Sequence, residues 1–182
     1  MISTLDAQRL VFVDEMGTNT SLGLIYAYSL RGYRAYAKVP RNRAPNTTLL
    51  SSMSLEGMGP SLAVEGSINR DVFEVCVERV LAATLRPGQI VVMDNLSTHK
   101  GKWVKEIIEK RGYVLLYLPP YSPDFNPIEE AFSKIKGLLR KAGARSREAL
   151  VEAMGAALAA VGTSDARRFF EHCGYYQPVQ LP

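Results

Sequence analysis

The sequence predicts an α/β domain, a mixed sheet covered by helices on both faces. Three observations carry this. Residues 10–13 (LVFV), 89–93 (QIVVM) and 113–118 (YVLLYL) are short apolar runs rich in β-formers, the length of buried strands and too short for core helices. Between and after them apolar residues recur at helical spacing, as in Phe73, Val77, Val80 and Leu81. Strands that alternate with helices in this way need both faces of their sheet covered.

Taken in order, residues 10–13 read as a buried strand with Asp14 and Glu15 at its C-terminal tip, then Gly17 and polar turn formers. Residues 18–46 carry the breakers Gly23, Gly32, Pro40 and Pro45, and predict a long irregular excursion with some strand character. Loops of that length are uncommon unless functional. Residues 47–55 and 61–65 resemble two strands joined around Gly57, Met58, Gly59 and Pro60. Asn69 reads as the cap of a helix that stops before Pro87 and Gly88, and the next strand stops at Asp94. Ser97 and Thr98 would cap a helix through Trp103, Val104, Ile107 and Ile108 to Gly112. The strand at 113–118 runs into a rigid turn-rich segment, PPYSPDFNP, and a helix follows from Ile128 through Ala131, Phe132, Ile135 and Leu139. Asn126 followed three residues later by Glu129, with Pro127 between, is a capping-box pattern. Helices at about 147–161 and 164–172 complete the chain.

Composition narrows the class. In 182 residues, 47% are hydrophobic and 22% charged, which supplies a core and excludes a disordered, collagen-like or coiled-coil chain. No apolar run reaches bilayer length, so no membrane partner is expected. The opening stretch has acids where a signal peptide needs an apolar run. Cys76 and Cys173 cannot build a disulfide framework, and the reading is of a soluble intracellular protein. His99 and His172 are too scattered for zinc, and phosphate-loop, nucleophile-elbow and dinucleotide motifs are absent.

The net charge of +4 points mildly to an anionic partner, and its placement says more. Arg31, Arg34, Lys38, Arg41 and Arg43 stand together without an acid, with Tyr28, Tyr33 and Tyr36 in or just before the stretch. Lys100, Lys102, Lys105, Lys110 and Arg111 form a second group, diluted by Glu106 and Glu109. Lys134, Lys136, Arg140, Lys141, Arg145 and Arg147 form a third. Basic groups interleaved with aromatics suit phosphates and unstacked bases, although each cluster alone also suits a solvated face.

Asp14 and Asp94 each follow an apolar run that needs no charge, at the strand ends where α/β sheets gather ligands. A third acid lies near the start of the Ile128 helix, either Glu129 or Glu130. Carboxylates converging there would repel unless a hard dication neutralised them, and Mg²⁺ suits oxygen ligands shared with phosphate. Two such ions serve in-line phosphoryl transfer without a nucleophilic side chain.

The blocks VFVDEMG, VVMDNLSTHK and LYLPPYSPDFNPIEEAFSKIK, in that order, closely resemble the DDE transposases of the mariner-like superfamily, especially its bacterial insertion-sequence branch. Between Asp94 and Glu129 lie 34 residues, the interval common in that family, which selects Glu129 over Glu130. The resemblance implies an RNase H-like fold over residues 1–145, including a basic insertion at about 18–46, with 146–182 as a C-terminal helical extension packed on the same domain. It implies catalytic Asp14, Asp94 and Glu129 holding two Mg²⁺, with Mn²⁺ able to substitute. Arg31, Arg34, Lys38, Arg41, Arg43, Lys100, Lys102, Lys134, Lys136 and Arg140 are the expected DNA contacts. The implied activity is cut-and-paste transposition: hydrolysis at each element end, then attack of the freed 3′-hydroxyl on target DNA. Implied partners are double-stranded DNA, both element ends and target, and a second copy in a homodimer on that DNA. The family's helix-turn-helix portion is not visible here, so a separately encoded or frameshift-joined portion is expected to supply it, and the protein is expected in the cytoplasm, acting on chromosomal DNA. Two rivals remain at this point, a truncated DNA-binding regulator of a transposase and another RNase H-like nuclease such as a ribonuclease or junction resolvase.

Overall fold

The computed structural model describes residues 5–36, 38, 45–95 and 101–176. Its strands are β1 (Leu10–Thr18), β2 (Thr47–Ser54), β3 (Gly57–Glu65), β4 (Ile90–Met93) and β5 (Val114–Tyr117). They form one sheet in the order β3-β2-β1-β4-β5, antiparallel from β1 outward to β3 and parallel from β1 through β4 to β5. The helices are α1 (Arg70–Cys76), α2 (Lys102–Lys110), α3 (Pro127–Ala142), α4 (Arg147–Ala159) and α5 (Thr163–His172). A wider helical turn, Val77–Leu81, prolongs α1. Among the described residues no helix is long and apolar enough to cross a membrane.

Side chains alternate across each strand, so the sheet feeds two cores. Leu10, Phe12 and Met16 of β1, with Ile90 and Val92 of β4, pack under α3, α4 and α5. Val11, Val13, Val91 and Met93 face the other way, against Phe73, Val77, Val104 and Ile108 of the α1 and α2 layer. Each such side chain contributes about 1.5–3 kcal/mol on burial, which makes the alternation decisive for register. Phe12 is the hinge of the first core: its ring meets Phe170 edge-on at 5.3 Å and Tyr175 at 5.2 Å, tying the end of the chain to the central strand.

Several elements differ from the sequence expectation. β1 continues to Thr18, so Asp14 lies inside the strand and not at its tip. The reason is asymmetric pairing: β4 accompanies β1 only as far as Val13, whereas β2 pairs with it as far as Thr18. The β2–β3 hairpin turns at Leu55 and Glu56, and Gly57 to Pro60 belong to β3 itself. Pro60 is tolerated because β3 is an edge strand with no outer ladder to supply. The described part of the 18–46 excursion beyond Thr18 has no strand; Leu24, Ile25, Tyr26 and Tyr28 extend into solvent, with one backbone turn from Tyr33 N–H to the Leu30 carbonyl at 2.9 Å. The cap of α2 is Gly101, close against the Glu74 side chain, while Ser97 and Thr98 lie outside the described residues. Asn69 caps α1 as expected, accepting from the Val72 N–H at 2.9 Å.

Candidate active site

Strand parity aims the first two acids. Asp14 continues the Leu10 and Phe12 face of β1, and Asp94 continues the Ile90 and Val92 face of β4, so both belong to the side covered by α3. They follow directly on the final residue pair between the two strands, Val13 with Met93. There β4 has ended and β1 has not, which leaves a notch in the sheet edge. The chain leaving β5 borders this notch, with Leu118 N–H donating to the Met93 carbonyl at 2.9 Å. A cleft of ≈ 480 Å³ occupies the notch, lined by Asp14, Asp94, Asn126, Glu129 and the turn from Leu118 to Pro123.

Asp14 is 5% exposed, a buried charge that needs partners. Its Oδ1 accepts the N–H of Glu15 at 2.7 Å, and its Oδ2 accepts Nδ2 of Asn126, also at 2.7 Å. Asn126, itself 4% exposed, occupies the cap position of α3 but makes no side-chain cap bond. The expected capping box therefore does not form. Pro127 has already removed one amide that a cap would serve, and a charge-assisted bond to a buried carboxylate is the stronger use of the amide. The Glu129 N–H is satisfied instead by the Asn126 carbonyl at 3.0 Å.

The two glutamates of α3 part company. Glu129 lines the cleft, in the first helical turn, where the helix dipole favours negative charge. Glu130 pairs with Nδ1 of His172 on α5, and this raises the imidazole pKa first through the hydrogen bond and then through charge. Burial pushes the thiols of Cys76 up to about 11 and of Cys173 up to about 12, which leaves both protonated and inert.

Asp14, Asp94 and Glu129 thus share one cleft, although among the described residues no three His, Cys, Asp or Glu side chains stand close enough to form a ready ion cage. The chemistry of the donors fits a hard dication: the described residues lining the cleft offer carboxylate, amide and hydroxyl oxygens, and among them is no thiol or imidazole.

The basic residues are placed less uniformly than the sequence suggested. Arg31, Arg34 and Lys38 are exposed on the excursion, and Lys102 is exposed at the start of α2. Lys136 and Arg140 are half-buried on α3. Arg41, Arg43 and Lys100 lie outside the described residues. Lys134 is turned inward: its Nζ donates to Asp165 Oδ2 at 2.6 Å and to the Ala160 carbonyl at 2.8 Å, clamping α3 to α5. Arg145 is also structural, donating to the Thr20 and Leu22 carbonyls at 2.9 Å each, which pins the start of the excursion. Sequence spacing shows charge but not direction, so these two could be separated from the others only by coordinates. The Asn126–Asp14 bond was missed for a related reason: an Asn before a Pro reads as a helix cap.

Residues 9–151 match the DDE superfamily endonuclease family. The fold matches that of the Mos1 transposase paired-end complex with left transposon end, with a TM-score of 0.77 at 20% identity over 92% of this chain and 53% of that one. The mariner Mos1 paired end complex with Mg matches at 0.70 and 17% identity, covering 94% and 57%. The catalytic domain of Mos1 mariner transposase matches at 0.63 and 15%, covering 92% and 78%. The chain therefore spans about half the length of the first of these relatives. No curated protein matches it. The five-stranded mixed sheet flanked by helices is the RNase H-like arrangement of those catalytic domains. With that arrangement and a family match over most of its length, the chain belongs to the DDE superfamily endonucleases.

Proposed function

We propose that this chain is the catalytic domain of a cut-and-paste DNA transposase from the bacterial insertion-sequence branch of the mariner-like superfamily. One observation carries the reading: Asp14, Asp94 and Glu129, from three distant stretches of sequence, line a single cleft at the sheet edge. These three would hold two Mg²⁺, with Mn²⁺ as a substitute. Bound there, the ions supply Lewis acidity and charge neutralisation for in-line displacement at phosphorus.

The protein's own part is positioning. The Glu15 N–H and Asn126 amide hold the Asp14 carboxylate in one orientation. Glu129 is carried on a helix whose start is fixed by the proline-rich turn, so its approach to the cleft is set by rigid elements. Water attacks a phosphodiester at the element end, the phosphorus–O3′ bond breaks, and the proton ends on the freed 3′-hydroxyl. That hydroxyl then gives up its proton as it attacks a target phosphodiester, and the displaced O3′ takes up a proton and leaves as a 3′-hydroxyl. Arg31, Arg34, Lys38, Lys102, Lys136 and Arg140 hold flanking phosphates, and the same role is assigned to Arg41, Arg43 and Lys100, which lie outside the described residues; Lys134 is excluded because its ammonium is engaged by Asp165 and the Ala160 carbonyl.

The substrate is double-stranded DNA, both element ends and target, engaged by a homodimer on chromosomal DNA in the cytoplasm. Residues 1–145 form the catalytic domain and 146–182 its helical extension, a division supported by α4 and α5 packing into the same core as α3. A helix-turn-helix portion, separately encoded or joined by frameshifting, reads the element ends; support comes from the greater length of the Mos1 chains, of which this chain covers 53%.

The test is Mg²⁺-dependent nicking of supercoiled plasmid by wild type and Asp94→Asn. The variant removes a ligand charge and little packing, so it keeps its melting temperature and loses nicking by at least about a hundredfold. Undiminished nicking in a folded Asp94→Asn protein discards the assignment.

A further inference from the structure

Tyr121 has a backbone and a side chain that packing does not explain. It is the one described non-glycine residue with positive φ, at 55°, in the left-handed region. Pro120 and Tyr121 are the central residues of a turn, and the third position of a turn with Pro second and positive φ third ordinarily takes Gly or Asn. A bulky side chain there costs about 1–2 kcal/mol. Burial does not offset this, because the ring is wholly exposed. The surrounding Pro119, Pro120 and Pro123 hold the turn rigid, so the ring is presented at little entropic cost on binding. Strain that persists at a cleft lip and brings no packing is the signature of a functional position.

We infer that Tyr121 is a base-stacking residue: its ring receives an unpaired base beside the phosphodiester held in the Asp14–Asp94–Glu129 cleft. The inference rests on the DNA endonuclease reading above and names the part of the substrate that this lip takes. The lip's composition selects a base over a phosphate. Beside Tyr121 the lip consists of Pro119, Pro120, Ser122 and Pro123, uncharged and mostly proline rings. A phosphate would want cations there, whereas an aromatic face next to neutral apolar walls suits a base drawn out of its stack. The interaction is indifferent to sequence, because every base has a face to stack.

The experiment measures binding of the full chain, in Ca²⁺ to suppress cleavage, to two short duplexes by fluorescence anisotropy. One carries a single mismatched adenine and the other an abasic site at the same position. Wild type is expected to bind the first about tenfold more tightly, in line with base–aromatic stacking. Tyr121→Phe keeps that preference. Tyr121→Ala and Tyr121→Gly lose it, and the glycine variant, relieved of strain, melts no lower than wild type. No preference in wild type, or the same preference in Tyr121→Ala and Tyr121→Gly, overturns the inference. Mg²⁺-dependent nicking is scored separately on the same preparations. A chain that nicks without the base preference refutes the stacking role alone; one with the preference that never nicks refutes the endonuclease reading alone; the absence of both refutes both.

Discussion

Asn126 Nδ2 donates to Asp14 Oδ2 at 2.7 Å, a bond between buried side chains 112 residues apart that joins the central strand to the start of α3. Asn126→Ala leaves a buried carboxylate oxygen short of a donor and is expected to cost about 1.5–3 kcal/mol, measured by urea unfolding. Because Asn126 acts through Asp14, the substitution also weakens Mn²⁺ binding to the full chain by about ten- to a hundredfold in calorimetric titration. Stability loss with unchanged Mn²⁺ affinity would leave Asn126 a purely structural residue.

The separation of the neighbouring glutamates gives a second prediction. Glu129→Gln abolishes plasmid nicking, because it alters the side chain that lines the cleft. Glu130→Gln retains nicking to within about threefold, since its carboxylate is turned to His172, and its effect is to lower the His172 pKa seen by NMR. The reverse ranking would move the third acid to Glu130.

Lys134 and Asp165 link stability to acid pH. The hydrogen bond from Lys134 is the main cause that holds the Asp165 carboxyl below its ordinary value of 3.8. A carboxyl depressed in the folded state contributes stability that is present above that ordinary value and fades as pH falls through the lower, folded one. As pH falls below about 4, wild type should therefore lose stability more steeply than Lys134→Met, read as melting temperature against pH. Parallel curves would show that the clamp is electrostatically silent.

The same residue separates structural from DNA-facing charge. Replacing Arg31, Arg34 and Lys38 together with Ala should flatten the dependence of log affinity for DNA on log salt, by about 0.9 in slope for each phosphate that is no longer neutralised. Lys134→Met should leave that slope unchanged, because its ammonium already serves Asp165 and Ala160. Equal slopes for wild type and the triple variant would remove the excursion from the DNA-binding surface.

Phe170 tests how firmly α5 belongs to the core. It is fully buried and meets Phe12 edge-on, so Phe170→Ala is expected to cost about 3–5 kcal/mol in denaturant unfolding. A cost below about 1 kcal/mol would mean that α5 undocks readily.

Much of this was legible in the sequence because local signals agreed with the tertiary outcome. The runs before Asp14 and Asp94 gave the central strands, since a strand buried on both sheet faces leaves a continuous apolar run. The helical spacing of Ala131, Phe132, Ile135 and Leu139 gave α3 and its buried stripe. Misreadings arose where a distant partner decides. Asp14 looked like a strand end because the apolar run stops there, yet β2 carries the strand to Thr18. Gly57 to Pro60 looked like a turn, yet an edge strand accepts those residues. Asn126 looked like a cap until a carboxylate over a hundred positions away claimed its amide.

The Tyr175 hydroxyl donates to the Phe125 carbonyl at 2.7 Å while its ring leans on Phe12. The last described turn of the chain is thus a strut beneath the proline-rich turn that presents Tyr121 and leads to Glu129. Shortening the polypeptide ahead of Tyr175, by a protease or by a cloning boundary, would slacken that turn while leaving the sheet standing.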